Sequence, residues 1–402
     1  MPRLLSLLSP IPLSIVLLMA VCIAWPARAA DDPLTFWDSQ RRGGNSFNRL
    51  PPEQSYFDAL RAHGARWVRL AYDKWPSRQR DFLIGDADHY QALDPHDLAT
   101  LRQVLDRIER AGLKAVIAPL SLPLSRWRQH NGGQFDDRLW QQRGHWQHAA
   151  RFWRDLALAL RGHAALVGYN LVNEPAPEYR GGLAEHASAD AMRSWYARHR
   201  DGPRDLLAFY GELVAAIRAV DHIMPLMVDA GWYGAADAFS YWPAALADAR
   251  VLYSVHMYEP YATTSAPNAR RAKPYRYPGA SRFGERAQHW DAGRVKQYLQ
   301  QPLDWADAMG VGRSRMVAGE FGCIRTLDDC GRYLDDVLQV LEPAGVHWAF
   351  YAFREDGWDA MDYELGRSKV PWAYWRAAEQ GLPDPVPRST TPLFDVIRRR
   401  MQ

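Results

Sequence analysis

The stretch AARFWRDLALALRGHAALVGYNLVNEP (residues 149–175) carries one full turn of the pattern that decides the fold. Ala149, Phe152, Trp153, Leu156 and Leu160 recur at the i, i+3, i+4, i+7 spacing of a single buried helical stripe. After a break at Arg161-Gly162, Leu166–Val172 forms a short β-rich apolar run, which ends abruptly at Asn173-Glu174-Pro175. A helix followed by a strand apolar on both faces indicates a parallel sheet with helices packed on each side.

The same alternation extends in both directions. Apolar runs recur at Ala65–Leu70, Lys114–Pro119, Pro225–Val228, Val251–Tyr258, Arg315–Ala318 and Val346–Tyr351. Helical stripes lie between them: Leu98, Leu101, Leu105 and Ile108; Leu206, Tyr210, Leu213 and Ile217; Leu334, Val337, Leu338 and Leu341. Pro52–Ala62, Ala292–Met309 and Thr391–Met401 read as further helices, and a weaker eighth strand is expected within Leu34–Asn45. Eight strands with helices between them predict a single (β/α)8 TIM barrel with long βα loops rather than an open sheet. No Pro/Gly/Ser-rich linker divides it, so residues 30–402 are expected to form one domain.

Residues 1–29 read as a signal peptide. Arg3 precedes an apolar stretch interrupted by Pro10 and Pro12, and Ala27-Arg28-Ala29 supplies a small-x-small cleavage pattern. The stretch is too short for a span of ~20 apolar residues, which predicts an exported protein with no membrane span after cleavage. The 402 residues carry 49 basic and 46 acidic side chains, a near-neutral balance that leaves no electrostatic footprint for nucleic acid. Export would leave Cys323 and Cys330 in an oxidising compartment, where a short disulfide is plausible. No Cys/His cluster has zinc spacing, and His145 and His148 lack a third ligand. No metal or cofactor is expected.

Chemistry-bearing residues gather at the carboxyl ends of the strands, where a barrel of this kind places its active site. Glu174 follows one strand and Glu320 another; Arg69, Asn173, His256 and Tyr258 lie at corresponding depths. Either acid alone could cap the next helix. Two on different strands supply what glycosidic hydrolysis needs: one protonated carboxyl and one ionised. No Gly-x-Ser-x-Gly elbow, Walker loop or dinucleotide fingerprint competes with this reading. Among 17 Trp and 19 Tyr, Trp232, Trp348, Tyr351 and Trp358 are candidates for stacking on sugar rings. Trp67 and Trp153 are assigned to the core.

At Gly168-Tyr169-Asn170-Leu171-Val172-Asn173-Glu174-Pro175 the chain resembles glycoside hydrolase family 5, the cellulase-like family of the retaining (β/α)8 clan. Arg69, the pair His256 and Tyr258, and Glu320 extend the resemblance over most of the mature chain. It implies that Glu174 is the acid/base and Glu320 the nucleophile. It also implies that Asn173 binds a sugar 2-hydroxyl, that Arg69 and Tyr258 orient Glu320, and that His256 lines the −1 subsite. Two positions depart from the family pattern. Tyr351 stands where a tryptophan platform is usual, and Pro119-Leu120-Ser121 where many members carry a histidine. The resemblance implies a retaining endo-β-glycosidase acting as a monomer on an oligo- or polysaccharide, with β-1,4-glucan as the leading substrate. β-Mannan, a bacterial exopolysaccharide or a glycoconjugate, and a non-catalytic glycan-binding barrel, are the alternatives.

Overall fold

The computed structural model describes residues 32–380, 382 and 384–402; the leader expected at residues 1–29 lies outside them. Ten strands follow in chain order: β1 Arg42–Ser46, β2 Trp67–Leu70, β3 Lys114–Ile117, β4 Leu166–Asn170, β5 Leu226–Asp229, β6 Val251–Met257, β7 Gly279–Phe283, β8 Arg286–Trp290, β9 Met316–Phe321 and β10 His347–Phe350. Eight of them close into a barrel in the order β1-β10-β9-β6-β5-β4-β3-β2, every neighbour parallel. The sequence-predicted eighth strand is β1, and the fold is the TIM barrel that the alternation predicts.

Inward-pointing positions explain both the core and the site. Trp67, Val116, Val167, Met227, Leu252, Val317 and Ala349 fill the lower barrel, and Trp37 plugs its base while donating Nε1–H to the Val167 carbonyl at 2.8 Å. Because side chains alternate along a strand, the next inward position lies two residues further on. There the character changes: Trp67 gives way to Arg69, Met227 to Asp229, and Ala349 to Tyr351. Apolar packing therefore ends one layer below the carboxyl rim, and buried polar groups take over.

The same alternation corrects one candidate. Trp348 flanks inward-facing Ala349, so it points outward, fully buried between sheet and helices. Its ring edge meets Phe321, and its Nε1–H donates to Glu342 Oε1 at 2.7 Å. Trp348 cannot stack on a ligand. Trp67 and Trp153 are core residues, as assigned.

Each outer helix presents an apolar stripe to the sheet. Helix Pro95–Arg110 buries Leu101, Val104, Leu105 and Ile108, and Asp94 caps it by accepting from the His96 and Asp97 amides. Helix Trp146–Leu160 buries Ala149, Phe152, Trp153, Leu156 and Leu160. One barrel unit is abbreviated. Between β5 and β6 the chain makes only a tight turn at Gly231–Gly234 and a 3-10 segment, Ala236–Tyr241. The long segment 259–290 contains an antiparallel hairpin, β7–β8. Among the described residues no helix is long and apolar enough to cross a membrane.

Cys323 and Cys330 form a disulfide with a Cα–Cα distance of 5.6 Å. It closes a short loop immediately after the strand that carries Glu320. Closing so short a loop limits the unfolded chain modestly, so Cys323→Ser with Cys330→Ser should lower stability by about 2–3 kcal/mol. Urea unfolding should show this as a lower midpoint at nearly constant slope. An unchanged midpoint would remove the bridge from the stability account.

Candidate active site

At the carboxyl rim of the barrel, two carboxyls face one another. One carboxylate oxygen each from Glu174 and Glu320, and a ring nitrogen of His256, all lie within 4.8 Å of one another. Their surroundings differ sharply.

Glu320 is the penultimate residue of β9 and is 4 % exposed. Arg69 Nη1 donates to its Oε1 at 2.6 Å, and the Tyr258 hydroxyl donates to its Oε2 at 2.7 Å. Both oxygens are thus held by donors, which fixes the orientation of the carboxyl group. Arg69 is fully buried and held in turn: Nε donates to Asn170 Oδ1 at 2.8 Å, and Nη1 to Asn45 Oδ1 at 3.2 Å. Its Nη2 donates to Asn173 Oδ1 at 2.7 Å. A guanidinium out of water requires such a set of acceptors. Asn173 accepts through Oδ1, so its Nδ2 is the group available to a ligand.

Glu174 stands in the loop after β4 with a left-handed backbone, φ 49°, and its side chain is 33 % exposed towards the cleft. Its amide donates to Asp229 Oδ2 at 3.1 Å, tying the turn to β5. Burial of its inner side, reinforced by the Glu320 charge, raises the Glu174 carboxyl above the usual range, against the opposing pull of His256. His256 Nδ1 lies 2.9 Å from Glu174 Oε1. Burial pushes the His256 imidazole down, but Glu320, Asp229 and Glu174 together outweigh it and hold it above its ordinary value. The result is one clamped carboxylate beside one carboxyl that retains its proton more readily.

Three further residues build the site. Asn45 donates to the carbonyls of Gly319 and Ala349 at 2.9 and 3.1 Å, lacing β1 to β9 and β10 beneath Glu320. Asn170 Nδ2 reaches Asp229 Oδ1 at 3.1 Å. Asp229 holds the Glu174 turn and lies 3.4 Å from His256 Nε2 and 3.7 Å from Arg69 Nη2. It ends the apolar strand β5, and an acid at the carboxyl end of an apolar run is the sequence signal that also marks Glu174 and Glu320.

A cleft of about 500 Å³ is lined by Asn173, Glu174, His256 and Tyr258, with aromatic walls from Trp127, Phe135, Trp232, Tyr233 and Tyr261. Trp232 reaches it while only 6 % exposed. Tyr351 is half-buried, its ring edge on Phe47 and Trp358, and its hydroxyl donates to Glu355 Oε2 at 2.8 Å. Glu355 in turn pairs with Lys74. Where many family members carry a histidine, the amides of Leu120 and Ser121 donate to Asp73 at 2.8 and 2.7 Å, pulling that loop onto β2's extension.

Three clusters among the described residues have the spacing to hold a cation: Asp106–Glu109–His163, Glu174–His256–Glu320 and Glu185–His186–Glu259. In the first, His163 Nε2 already lies 3.2 Å from Asp106 Oδ1. In Glu174–His256–Glu320 both Glu320 oxygens and His256 Nδ1 are already engaged. In Glu185–His186–Glu259, Asp237 lies 2.8 Å from His186 Nδ1. Burial lowers the His186 pKa, but Asp237 and Glu259 raise it to about 10.

A sequence profile of the cellulase family (glycosyl hydrolase family 5) matches residues 33–357. A curated relative, a beta-xylosidase of Phanerodontia chrysosporium, is 21 % identical over 324 residues, 77 % of this chain and 57 % of the relative. The chain therefore spans little more than half of that relative's length. Among solved structures, the Pseudomonas stutzeri endoglucanase Cel5A superposes with a TM-score of 0.59 at 17 % identity, covering 90 % of this chain and 94 % of that one. A hyperthermophilic endo-beta-1,4-glucanase in complex with substrate superposes with a TM-score of 0.60 at 15 % identity, covering 92 % and 99 %. At these identities the likeness extends to the fold.

Proposed function

The chain belongs to glycosyl hydrolase family 5, and from that premise we propose that it is an exported, retaining endo-β-glycosidase whose leading substrate is β-1,4-glucan. The observation that carries this reading is the pair of carboxyls whose oxygens lie within 4.8 Å, one clamped by Arg69 and Tyr258, the other raised in pKa and open to the cleft. Retaining enzymes hold their carboxyls ~5–5.5 Å apart, whereas inverting ones leave room for a water at ~6.5–9.5 Å.

Glu320 attacks the anomeric carbon while Glu174 protonates the departing oxygen. As the sugar becomes bonded to Glu320, the charge that raised the Glu174 pKa disappears, and Glu174 is left as a base to activate water. Asn173 Nδ2 contributes by donating to the sugar's 2-hydroxyl, and does so most if that bond tightens in the transition state. His256, with Nδ1 2.9 Å from Glu174 Oε1, keeps that carboxyl oriented. Residues 30–402 form the catalytic domain in this scheme. The leader pattern at residues 1–29 and the Cys323–Cys330 bridge support export to an oxidising compartment.

Endoglucanases among the structural relatives favour a β-glucan. The curated relative's name favours a xylan-derived substrate as a second reading. Incubation of the mature protein with β-glucans, xylans and β-mannans, with product sizing and proton NMR of the first-formed anomer, decides between them. Short β-glucan oligomers appearing first as the β-anomer are expected. Release of the α-anomer first would overturn retention, and cleavage confined to xylan would overturn the substrate.

A further inference from the structure

Glu178 lies four residues beyond Glu174 and is fully buried, yet nothing in the double displacement uses it. Its Oε2 accepts from the Trp232 amide at 3.1 Å and its Oε1 accepts from the Tyr241 hydroxyl at 2.6 Å. No arginine or lysine pairs with it at salt-bridge distance among the described residues. Burial pushes its carboxyl up to about 7 despite those two hydrogen bonds. A buried acid held only by an amide and a hydroxyl calls for a specific reason.

The Trp232 amide belongs to an unusual turn. Trp232 and Tyr233 are consecutive left-handed residues, φ 46° and 63°, a conformation that side chains bearing a Cβ disfavour and that persists only where the surroundings enforce it. Gly231 must lack a side chain, because a Cβ there would lie 2.1 Å from Glu178 Oε1. The Tyr233 amide donates to the Pro175 carbonyl at 3.1 Å, so the turn is joined to the residue directly after Glu174. Gly234 closes over His256, where a Cβ would lie 3.1 Å from the ring. Trp232 and Tyr233 both line the cleft beside Glu174.

The leaving group of a glycoside lies on the side of the carboxyl that protonates it. Resting on the proposed acid/base role of Glu174, we infer that Glu178 is a positioning residue that latches the Trp232–Tyr233 turn into a platform for the sugar on the leaving-group side. A carboxylate suits this task because its two oxygens accept from two donors at once, one on the turn and one on Tyr241. An amide offers one acceptor oxygen and would turn its NH2 towards one of those donors.

The test compares Glu178→Gln with wild type on two substrates of the same glycone: an oligosaccharide, whose leaving group is a sugar, and an activated aryl glycoside, which lacks that sugar. The variant should lose about 10–100-fold more kcat/KM on the oligosaccharide than on the aryl glycoside. Transfer of the glycosyl group to an added disaccharide acceptor should fall in parallel, and Tyr233→Ala should reproduce the split. Equal losses on both substrates would reduce Glu178 to general support of the fold and overturn the platform. A crystal structure of Glu178→Gln supplies an arm independent of activity: Trp232 or Tyr233 should leave the left-handed region. A turn unchanged in that structure would overturn the latch even if the glycosidase reading stands, whereas wild type inactive on both substrates would instead overturn that reading. If Glu178→Gln does not fold, Tyr241→Phe removes one of the two hydrogen bonds without changing charge and should show the same split at smaller size.

Discussion

Glu320→Ala is expected to lower turnover on every substrate by a factor on the order of 10⁵ or more, the scale associated with loss of an enzyme's covalent nucleophile. No other carboxyl can take its place. Glu174 approaches from the opposite side of the glycosidic bond, and Asp229 is fully buried beneath His256 and Arg69. The substitution also leaves Arg69 Nη1 and the Tyr258 hydroxyl without their shared acceptor. Glu320→Gln keeps a side chain of the same shape, and equal inactivity in both variants with unchanged thermal unfolding would assign the loss to chemistry. Added azide should partly restore Glu320→Ala on an activated substrate. The anion then attacks from the nucleophile's side, so the product should be the α-glycosyl azide. Turnover of Glu320→Ala within tenfold of wild type would remove Glu320 from the reaction.

The parts of the fold that could be read from the sequence are those where one physical rule dominates. Strands β2 to β6, β9 and β10 are buried on both faces, so they stand out as apolar runs, each ending within a few residues of its predicted boundary. Strand β1 is hidden because its sequence, Arg42-Gly43-Gly44-Asn45-Ser46, has no apolar side chain. The structure explains why. A Cβ at Gly43 would lie 2.4 Å from the Trp67 carbonyl, and one at Gly44 would lie 3.1 Å from Phe350. Strand β1 gives up its side chains to the bulk of its neighbours, and composition then resembles a loop.

Trp348 failed for a related reason. A tryptophan near the end of a barrel strand can face either the cleft or the helices, and only the phase of the strand distinguishes them. Ala349 points inward, which settles the phase. What shows that Ala349 points inward is its packing with residues of the other strands, which the local sequence does not encode. Asp229 lies one residue beyond the apolar run Pro225–Val228, where β5 reaches the polar layer, so the run itself does not include it. The hairpin of β7 and β8 and the latched turn at Gly231–Gly234 depend on contacts across many residues, which no local period encodes.

Glu174→Ala should divide substrates according to how much their leaving group needs a proton. General acid assistance contributes roughly 10²–10⁴-fold, so cleavage of an unactivated oligosaccharide should fall by about that factor. An activated aryl group departs unaided, and Glu320 can still form the glycosyl-enzyme on it. That intermediate then lacks a base, so a burst of phenolate followed by a stall is expected. The pH profile offers a second view of the same residue. The acid form of Glu174 is needed for the first step, and burial with the Glu320 charge raises its pKa. Activity on oligosaccharides should therefore persist above the ordinary carboxyl range and fall as pH rises through the raised value. On the activated substrate, burst formation by Glu174→Ala should lose that alkaline limb. Azide, which needs no deprotonation, should relieve the stall by attacking the face opposite Glu320 and give the β-glycosyl azide. An α-azide from Glu174→Ala would mean that the two carboxyls have exchanged roles. The clamp of Arg69 and Tyr258 argues against that exchange, since it holds both Glu320 oxygens in place, whereas Glu174 stands open to the cleft.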